Sequence, residues 1–462
     1  MQFKLLLSVV VFLLLSITVD AAALDQLGTV SNDTLFVSRE NVVVSALKHN
    51  EMLSASSSMV DAANADALGA WRGFLPRVSL GGYQMRSNDA LYGFGFKLNQ
   101  RRATPADMST PPYGTTLNFP GITENNISQV KLLMPVFNGG MAVYGKKAAN
   151  NMALSAKMDH KRAEETVEYH AVQAYEGLLL ASAYETVMLV ALKAADGHVR
   201  QAQAMFDAEM VTESDLLQAK VYRSGLHQKL IETRNMVRTS GEYIKLLTAS
   251  DVDLIIAPAN SDKIEVARLA FGTTGATTRS DIESGKLKST AAGNMVKVAR
   301  GSMLPHLNMS AEKNWYSSED FLGDDSDAWT VGVYASWDIF SGLENIGALK
   351  KARAQSRATN YMLDFETRKA TVEATQAKLE LEAAIEKYSV AGEAVTAARE
   401  GLRIVTNQYR EGLASMVDLL DVQAASTMAE GNLVQAGFDV STGVAKLRFA
   451  GGTVYCTGSE TE

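Results

Sequence analysis

The chain has 462 residues, a formal net charge of −8, 8 prolines and 1 cysteine. An acidic balance with scattered Lys and Arg excludes the concentrated basic surface that phosphate contacts need, so no nucleic acid is expected as a partner. A lone cysteine, Cys456, excludes a disulfide within the chain and any Cys-based metal site, while scarce proline and abundant alanine favour long uninterrupted helices.

The N-terminus comes first in chain order. Lys4 precedes an apolar run of 13 residues, Leu5 to Ile17, and Ala21-Ala22-Ala23 follows. Residues 1–23 therefore have the form of a secretory signal peptide. A membrane anchor is the competing reading, but the run is shorter than the ~20 residues a spanning helix needs. No cysteine follows the cleavage region, so no lipid anchor is expected there. No later stretch reads as long and apolar enough to cross a bilayer as a helix.

Residues 24–256 form a first repeat. Strands are expected at about 74–88 and 124–138, separated by a long loop over Tyr92–Gly121 that is rich in Gly, Pro and aromatics. A long helical hairpin follows over 139–256. From Met141 to Phe206 there is no proline and alanine recurs throughout. At ~1.5 Å per residue that helix is on the order of 100 Å long, and it needs lateral partners. Residues 257–280 read as a linker in the equatorial region.

Residues 281–451 repeat the plan, with strands at about 304–317 and 328–340, a hairpin over 341–450 and a tail at 452–462. The repeat is nearly gap-free. At an offset of 203 residues, VFNGG at 136–140 falls on IFSGL at 339–343, Lys147 on Lys350, Phe206 on Tyr409 and Asp215 on Asp418. Helices preserve length this strictly because an inserted residue rotates everything after it by ~100°. Upstream, Leu75-Pro76 answers Leu304-Pro305 at an offset of 229, so the first copy holds the longer loop.

The strands alternate at period two. Trp329, Val331, Val333, Ala335, Trp337 and Ile339 alternate with polar or small residues. Trp329 and Trp337 lie near the two ends of one apolar face, and Trp315 near the far end of the partner strand. Eight steps at ~3.3 Å, tilted by ~40°, span roughly 20 Å, close to the lipid-facing band of a membrane barrel. A soluble half-buried sheet alternates in the same way and is the competing reading. Four strands cannot close a barrel in lipid, where unpaired edges are prohibitively costly. If these strands span a membrane, several chains share one barrel.

Enzymatic signals fail one by one. GMAVYGKK at 140–147 has the Gly-x4-Gly-Lys spacing, but Lys147 stands where Ser or Thr must hold Mg²⁺, so it reads as a helix start. His49, His160, His170, His198, His227 and His306 show no metal-ligand pairing on a helix. No cofactor, metal or catalytic residue is expected.

The two helix turns carry acids. Thr212-x-x-Asp215 and Ser415-x-x-Asp418 both have capping-box spacing, in which the acid starts the return helix. Asp421 lies one turn beyond Asp418 on the same helix face and is not needed by a cap.

The duplicated plan, the junctions MPVFNGG and WDIFSGL and the tip YREGLASMVDLLDVQA at 409–424 together resemble the TolC-type outer-membrane efflux factors over essentially the whole mature chain. The resemblance implies a mainly α fold with a β-barrel part. The implied unit is a homotrimer: a 12-stranded outer-membrane β-barrel continued by a long α-helical barrel through the periplasm. The implied partners are outer-membrane lipid, a periplasmic adaptor (membrane fusion) protein and an inner-membrane pump of RND or ABC type. It implies a passive, gated conduit. A periplasmic coiled-coil scaffold without a channel is the alternative.

Residue by residue, the resemblance places Asp418 and Asp421 at the pore entrance as stacked carboxylate rings. Such rings favour cations, and crowding raises some of their pKa values. Tyr409 and Asp215 are implied gate contacts. Glu209, Met210, Gly412 and Leu413 are the helix-turn tips and adaptor contacts, and Trp315, Trp329 and Trp337 are membrane-interface aromatics. Two departures stand out. Ala414 occupies the family's basic latch position, and Glu209-Met210 replaces the favoured Gly-Leu, so the first tip is expected to turn differently.

Overall fold

The computed structural model describes residues 27–31, 33–108, 118–259, 279–323 and 325–452. The expected signal peptide, most of the linker and the Cys456 tail lie outside them. In chain order the elements are β1 (Gly28–Ser31), β2 (Thr34–Val37), α1 (Arg39–His49), α2 (Glu51–Gly69), β3 (Arg77–Ser87), α3 (Ala90–Asn99), β4 (Thr123–Asn138), α4 (Met141–Asp207), α5 (Glu213–Thr248), β5 (Ile255–Pro258), α6 (Ser280–Gly301), β6 (His306–Ser317), β7 (Ser326–Ser336), α7 (Glu344–Arg410) and α8 (Met416–Gly451). The duplication is exact in helix length: α4 and α7 have 67 residues each, and α5 and α8 have 36 each.

The contacts divide the chain into two units. One, residues 60–156 and 285–363, holds a four-stranded antiparallel sheet in the order β3-β4-β6-β7. Its register sorts the side chains. Leu80 pairs with Val130, Val130 with Lys313 and Lys313 with Trp329; one step along, Val78, Leu132, Ala311 and Val331 align. This face is mostly apolar and exposed, with Leu80 at 81% and Trp329 at 74%, and it carries the exposed Lys313–Asp327 ion pair at 3.1 Å. The opposite face aligns Ser79, Lys131, Glu312 and Thr330, then Gly81, Gln129, Asn314 and Ala328. Strands β3 and β7 are the sheet's edges.

Strand β4 ends through a bulge between Pro135 and Phe137, where proline has no N–H for the ladder. Gly139 and Gly140, at φ 62° and 80°, then turn the chain into α4. Gly139 also has no room for a side chain, since a Cβ would lie 2.1 Å from the Gly301 carbonyl oxygen. In the second copy Gly342 and Leu343 take the same left-handed pair, at φ 61° and 75°. Strand β7 ends at Ser336, short of the expected 340. Trp337 therefore sits just past it, donating from Nε1 to the Met303 carbonyl at 3.1 Å.

The expected loop over Tyr92–Gly121 is corrected: it begins inside helix α3. Gly93 and Gly95 argue against a helix by propensity, but Asp89 Oδ1 accepts from the N–H groups of Leu91 and Tyr92 at 3.0 Å each. Burial of Phe96 and the hydrogen bonds from Gln100, the residue that caps its C-terminus, supply the rest.

The other unit comprises the described parts of residues 1–59, 157–284 and 364–462. The small sheet β1-β2-β5, absent from the expected plan, pairs β2 parallel to β5 and so crosses the expected repeat boundary at 256/257. Leu35, Val37 and Ile256 from that sheet join Val42 and Ala46 of α1, Val172, Tyr175 and Leu178 of α4 and Ile244 of α5 in one buried core. This explains a second correction. Helix α4 does contain a stretch apolar enough to cross a membrane by length and composition, yet Tyr175, Leu178 and Leu179 are spent on this protein core.

Beside the core lies a buried charged cluster. Arg279 donates to Asp281 at 2.7 and 3.1 Å and to Glu373 at 2.6 Å. Arg162 donates to Glu165 at 2.8 Å and to the Phe449 carbonyl at 3.2 Å, and lies 3.8 Å from the Phe449 ring centroid.

Candidate functional site: the helix tips

The α4–α5 and α7–α8 turns are built alike. At the first, Glu209 N–H bonds the Phe206 carbonyl at 2.9 Å and Met210 N–H the Met205 carbonyl at 2.8 Å. At the second, Gly412 N–H bonds Tyr409 at 3.1 Å and Leu413 N–H bonds Gln408 at 2.8 Å. These paired bonds satisfy helix-end carbonyls around one left-handed residue. The expectation that the first tip turns differently is therefore corrected: Glu209 adopts φ 57° where Gly412 has 75°. The backbone plan overrides the side chain. Met210 and Leu413, just beyond, are both strongly exposed.

Each return helix opens on a complete capping box. Thr212 N–H and Oγ1 donate to Asp215 Oδ2 at 3.0 and 2.7 Å, and Asp215 N–H donates back at 3.3 Å. Ser415 and Asp418 repeat this at 2.9, 2.6 and 3.1 Å. The Ser415 hydroxyl and N–H hold the Asp418 carboxyl below its ordinary pKa, with burial a smaller opposing effect. Asp418 and Asp421 are both exposed on α8, and Ala424, Ala425 and Met428 continue that surface one and two turns on.

Beneath the tips Tyr409, Ala202, Leu216, Ala219, Met416, Leu419 and Leu420 form a buried cluster, with Ala414 packed on its edge. Tyr409 is 2% exposed, and its hydroxyl has no hydrogen-bond partner among the described residues. Burial raises its pKa, and the charge of Asp215 adds to that. So the fold brings Tyr409 and Asp215, the expected gate contacts, into electrostatic reach, while Asp215 Oδ2 is engaged by its own cap.

One contact has no counterpart in the sequence reading. His198 of α4 meets Gln423 of α8 at 3.4 Å in a buried position. Burial lowers the His198 pKa, the Gln423 bond opposes this and Arg410 adds to it. The partners are 225 residues apart, and neither recurs at the repeat offset, so spacing alone carries no trace of the pair.

The sheet aromatics lie in the other unit. Trp315 pairs in register with Asp327 and takes the Lys313 ammonium 5.0 Å from its ring centroid, while Trp329 is exposed on the apolar face.

Comparison with known proteins agrees with this architecture. Residues 276–453 match the family model described as outer membrane efflux protein. The outer membrane efflux protein BepC of Brucella suis is 24% identical over 314 residues, 67% of this chain and 68% of its own. The alkaline protease secretion protein AprF of Pseudomonas aeruginosa is 20% identical over 339 residues, 72% and 70% of the two chains. The CmeC outer membrane channel of Campylobacter jejuni has the same fold, with a TM-score of 0.78 at 18% identity over 90% of this chain and 85% of its own. With the duplicated helix-strand plan and the paired capped tips, these matches make the chain similar to the outer membrane efflux proteins over residues 276–453 and to an outer-membrane channel fold over most of its length.

Proposed function

We propose that three copies of the chain share one 12-stranded barrel in the outer membrane and continue it as a helical tunnel into the periplasm. The four-stranded sheet carries the argument. It has an exposed apolar face, a polar opposite face and two edges, β3 and β7. Such edges cannot face lipid unpaired, so pairing β3 of one copy with β7 of the next removes them all. On α7, Phe365, Val372 and Leu379 are exposed at seven-residue spacing, the seam that a neighbouring helix fills. The scaffold alternative gives the exposed Val78, Leu80, Trp329 and Val331 no role.

In this reading the protein breaks no bonds. It is a gated conduit for cargo delivered by an inner-membrane pump, of RND or ABC type, through a periplasmic adaptor. Met210 and Leu413, exposed at the tips, form the adaptor's contact. Asp418 and Asp421 ring the entrance and favour cations. Tyr409 and Asp215 hold it shut, with no basic latch at Ala414.

The test is conductance of the purified protein in planar bilayers, alongside its migration as a heat-sensitive trimer. The double variant Asp418→Ala/Asp421→Ala is expected to lose cation selectivity and block by divalent cations. Unchanged selectivity removes those acids from the entrance. A detergent-independent monomer without conductance ends the channel reading.

A further inference from the structure

Helix α3 lies on one particular face of the sheet. Gln100 Nε2, just past its end, donates to the Glu124 carbonyl at 2.8 Å, Asn125 Oδ1 at 2.9 Å and the Ser317 carbonyl at 3.4 Å. The Asn99 carbonyl accepts from the Ser326 hydroxyl. Asn125, Ile127 and Ser326 are all buried at this end of the sheet, at 0%, 5% and 4% exposure. The register puts Ile127 and Ser326 in line with Tyr83 and Tyr316, on the same face as Ser79, Gln129 and Lys131. That is the polar face, opposite Leu80 and Trp329.

The placement is built in. Asp89 caps the helix, Phe96 is buried, and a Cβ at Gly93 would lie 2.8 Å from Pro120. The turn that follows is also tied: Lys97 Nζ donates to Asp107 Oδ1 at 2.7 Å, and Thr104 N–H and Oγ1 donate to Asp107 Oδ2 at 2.8 Å each. The shorter β6–β7 connection has no such helix among its described residues.

We infer that α3 is a size-selecting constriction at the outer mouth of the channel, on the lumen side of the wall. The inference rests on the trimeric barrel reading above. Strands ~4.8 Å apart and tilted by ~40° give a twelve-stranded wall a backbone radius of about 12 Å. A helix with its side chains is about 10 Å across. Three copies leaning inward from the rim cover most of that opening. The exit is then narrowed by a folded, hydrogen-bonded element, and large solutes outside the cell are kept from entering the lumen.

The test uses the full chain with Cys456→Ser as background. Ser79→Cys places a thiol on the polar face below α3, and Leu80→Cys one on the apolar face. Intact cells are treated with a small maleimide and with a bulky maleimide that is narrower than the bare twelve-stranded lumen but wider than the gap left between three inward-leaning helices. The expected result is labelling of Ser79→Cys by the small reagent and exclusion of the large one. Adding Gln100→Ala, or Asp89→Ala as a second way to release the helix, is expected to raise labelling by the large reagent at least tenfold, with heat-sensitive trimers retained. Equal labelling by the large reagent with and without these substitutions overturns the inference while leaving the channel reading in place. Labelling of Leu80→Cys by both reagents shows a water-facing apolar face, and the barrel reading fails together with the inference.

Discussion

Glu209 and Gly412 occupy the same position in the two halves of the chain, 203 residues apart, and both hold a left-handed backbone at φ 57° and 75°. A side chain in that region costs energy that glycine avoids. Glu209→Gly is therefore expected to stabilise the first tip by roughly 0.5–1 kcal/mol, part of the relief being offset by glycine's greater freedom when unfolded. Gly412→Ala should do the reverse. Urea midpoints of the purified variants decide it, and a Glu209→Gly midpoint below wild type would count against the strain.

The capping hydroxyls give a second expectation. Thr212 and Ser415 each satisfy an N–H at the start of a return helix. Thr212→Ala and Ser415→Ala should each cost about 1 kcal/mol, and the double variant the sum, because the caps begin different helices. Amide exchange should locate the loss in the first turns of α5 and α8.

Asp418 and His198 both predict a loss of stability on acidification, in different pH windows. The folded Asp418 pKa is depressed, so its contribution is present above the ordinary carboxylate pKa and lost as pH falls through the folded value. The folded His198 pKa is also depressed, by burial. The unfolded chain then binds the histidine proton first, and stability declines as pH drops below ~6.5. Unfolding midpoints measured from pH 7.5 to 5 should fall for wild type and stay flatter for His198→Gln. An equal slope in both would remove His198 as the source.

The Arg279 cluster predicts the largest single loss. Arg279→Met leaves Asp281 and Glu373 without the guanidinium that bridges them, in a site where Arg279 is only 5% exposed. Breaking a buried pair from one side costs about 3–5 kcal/mol; Glu373 is partly exposed, which points to the lower end. A denaturation series with Arg279→Met and the triple variant Arg279→Met/Asp281→Asn/Glu373→Gln should show partial recovery in the triple.

Much of this molecule was legible in its residues. The 203-residue offset predicts both hairpins, and the capping spacing predicts both boxes, because helices and caps are local and periodic. Strand faces followed from alternation at period two. Other features depended on contacts distant in sequence. Helix α3 contradicts the propensity of Gly93 and Gly95 and exists through Asp89, Phe96 and Gln100. The β2–β5 pairing joins segments more than two hundred residues apart, with strands of four residues that carry little pattern. Glu209 broke the tip motif in sequence yet not in shape, since the turn is set by the two helices it joins.

The equal helix lengths, 67 with 67 and 36 with 36, carry one more consequence. Deleting a residue from one hairpin alone would swing its remaining side chains by ~100° away from those of its twin. A duplicated hairpin of this design cannot be lengthened or shortened by a single edit. Any change of reach must be written into both halves of the gene at once, so such proteins should differ in span by matched insertions, and an unmatched one should mark a place where the two halves have ceased to be equivalent.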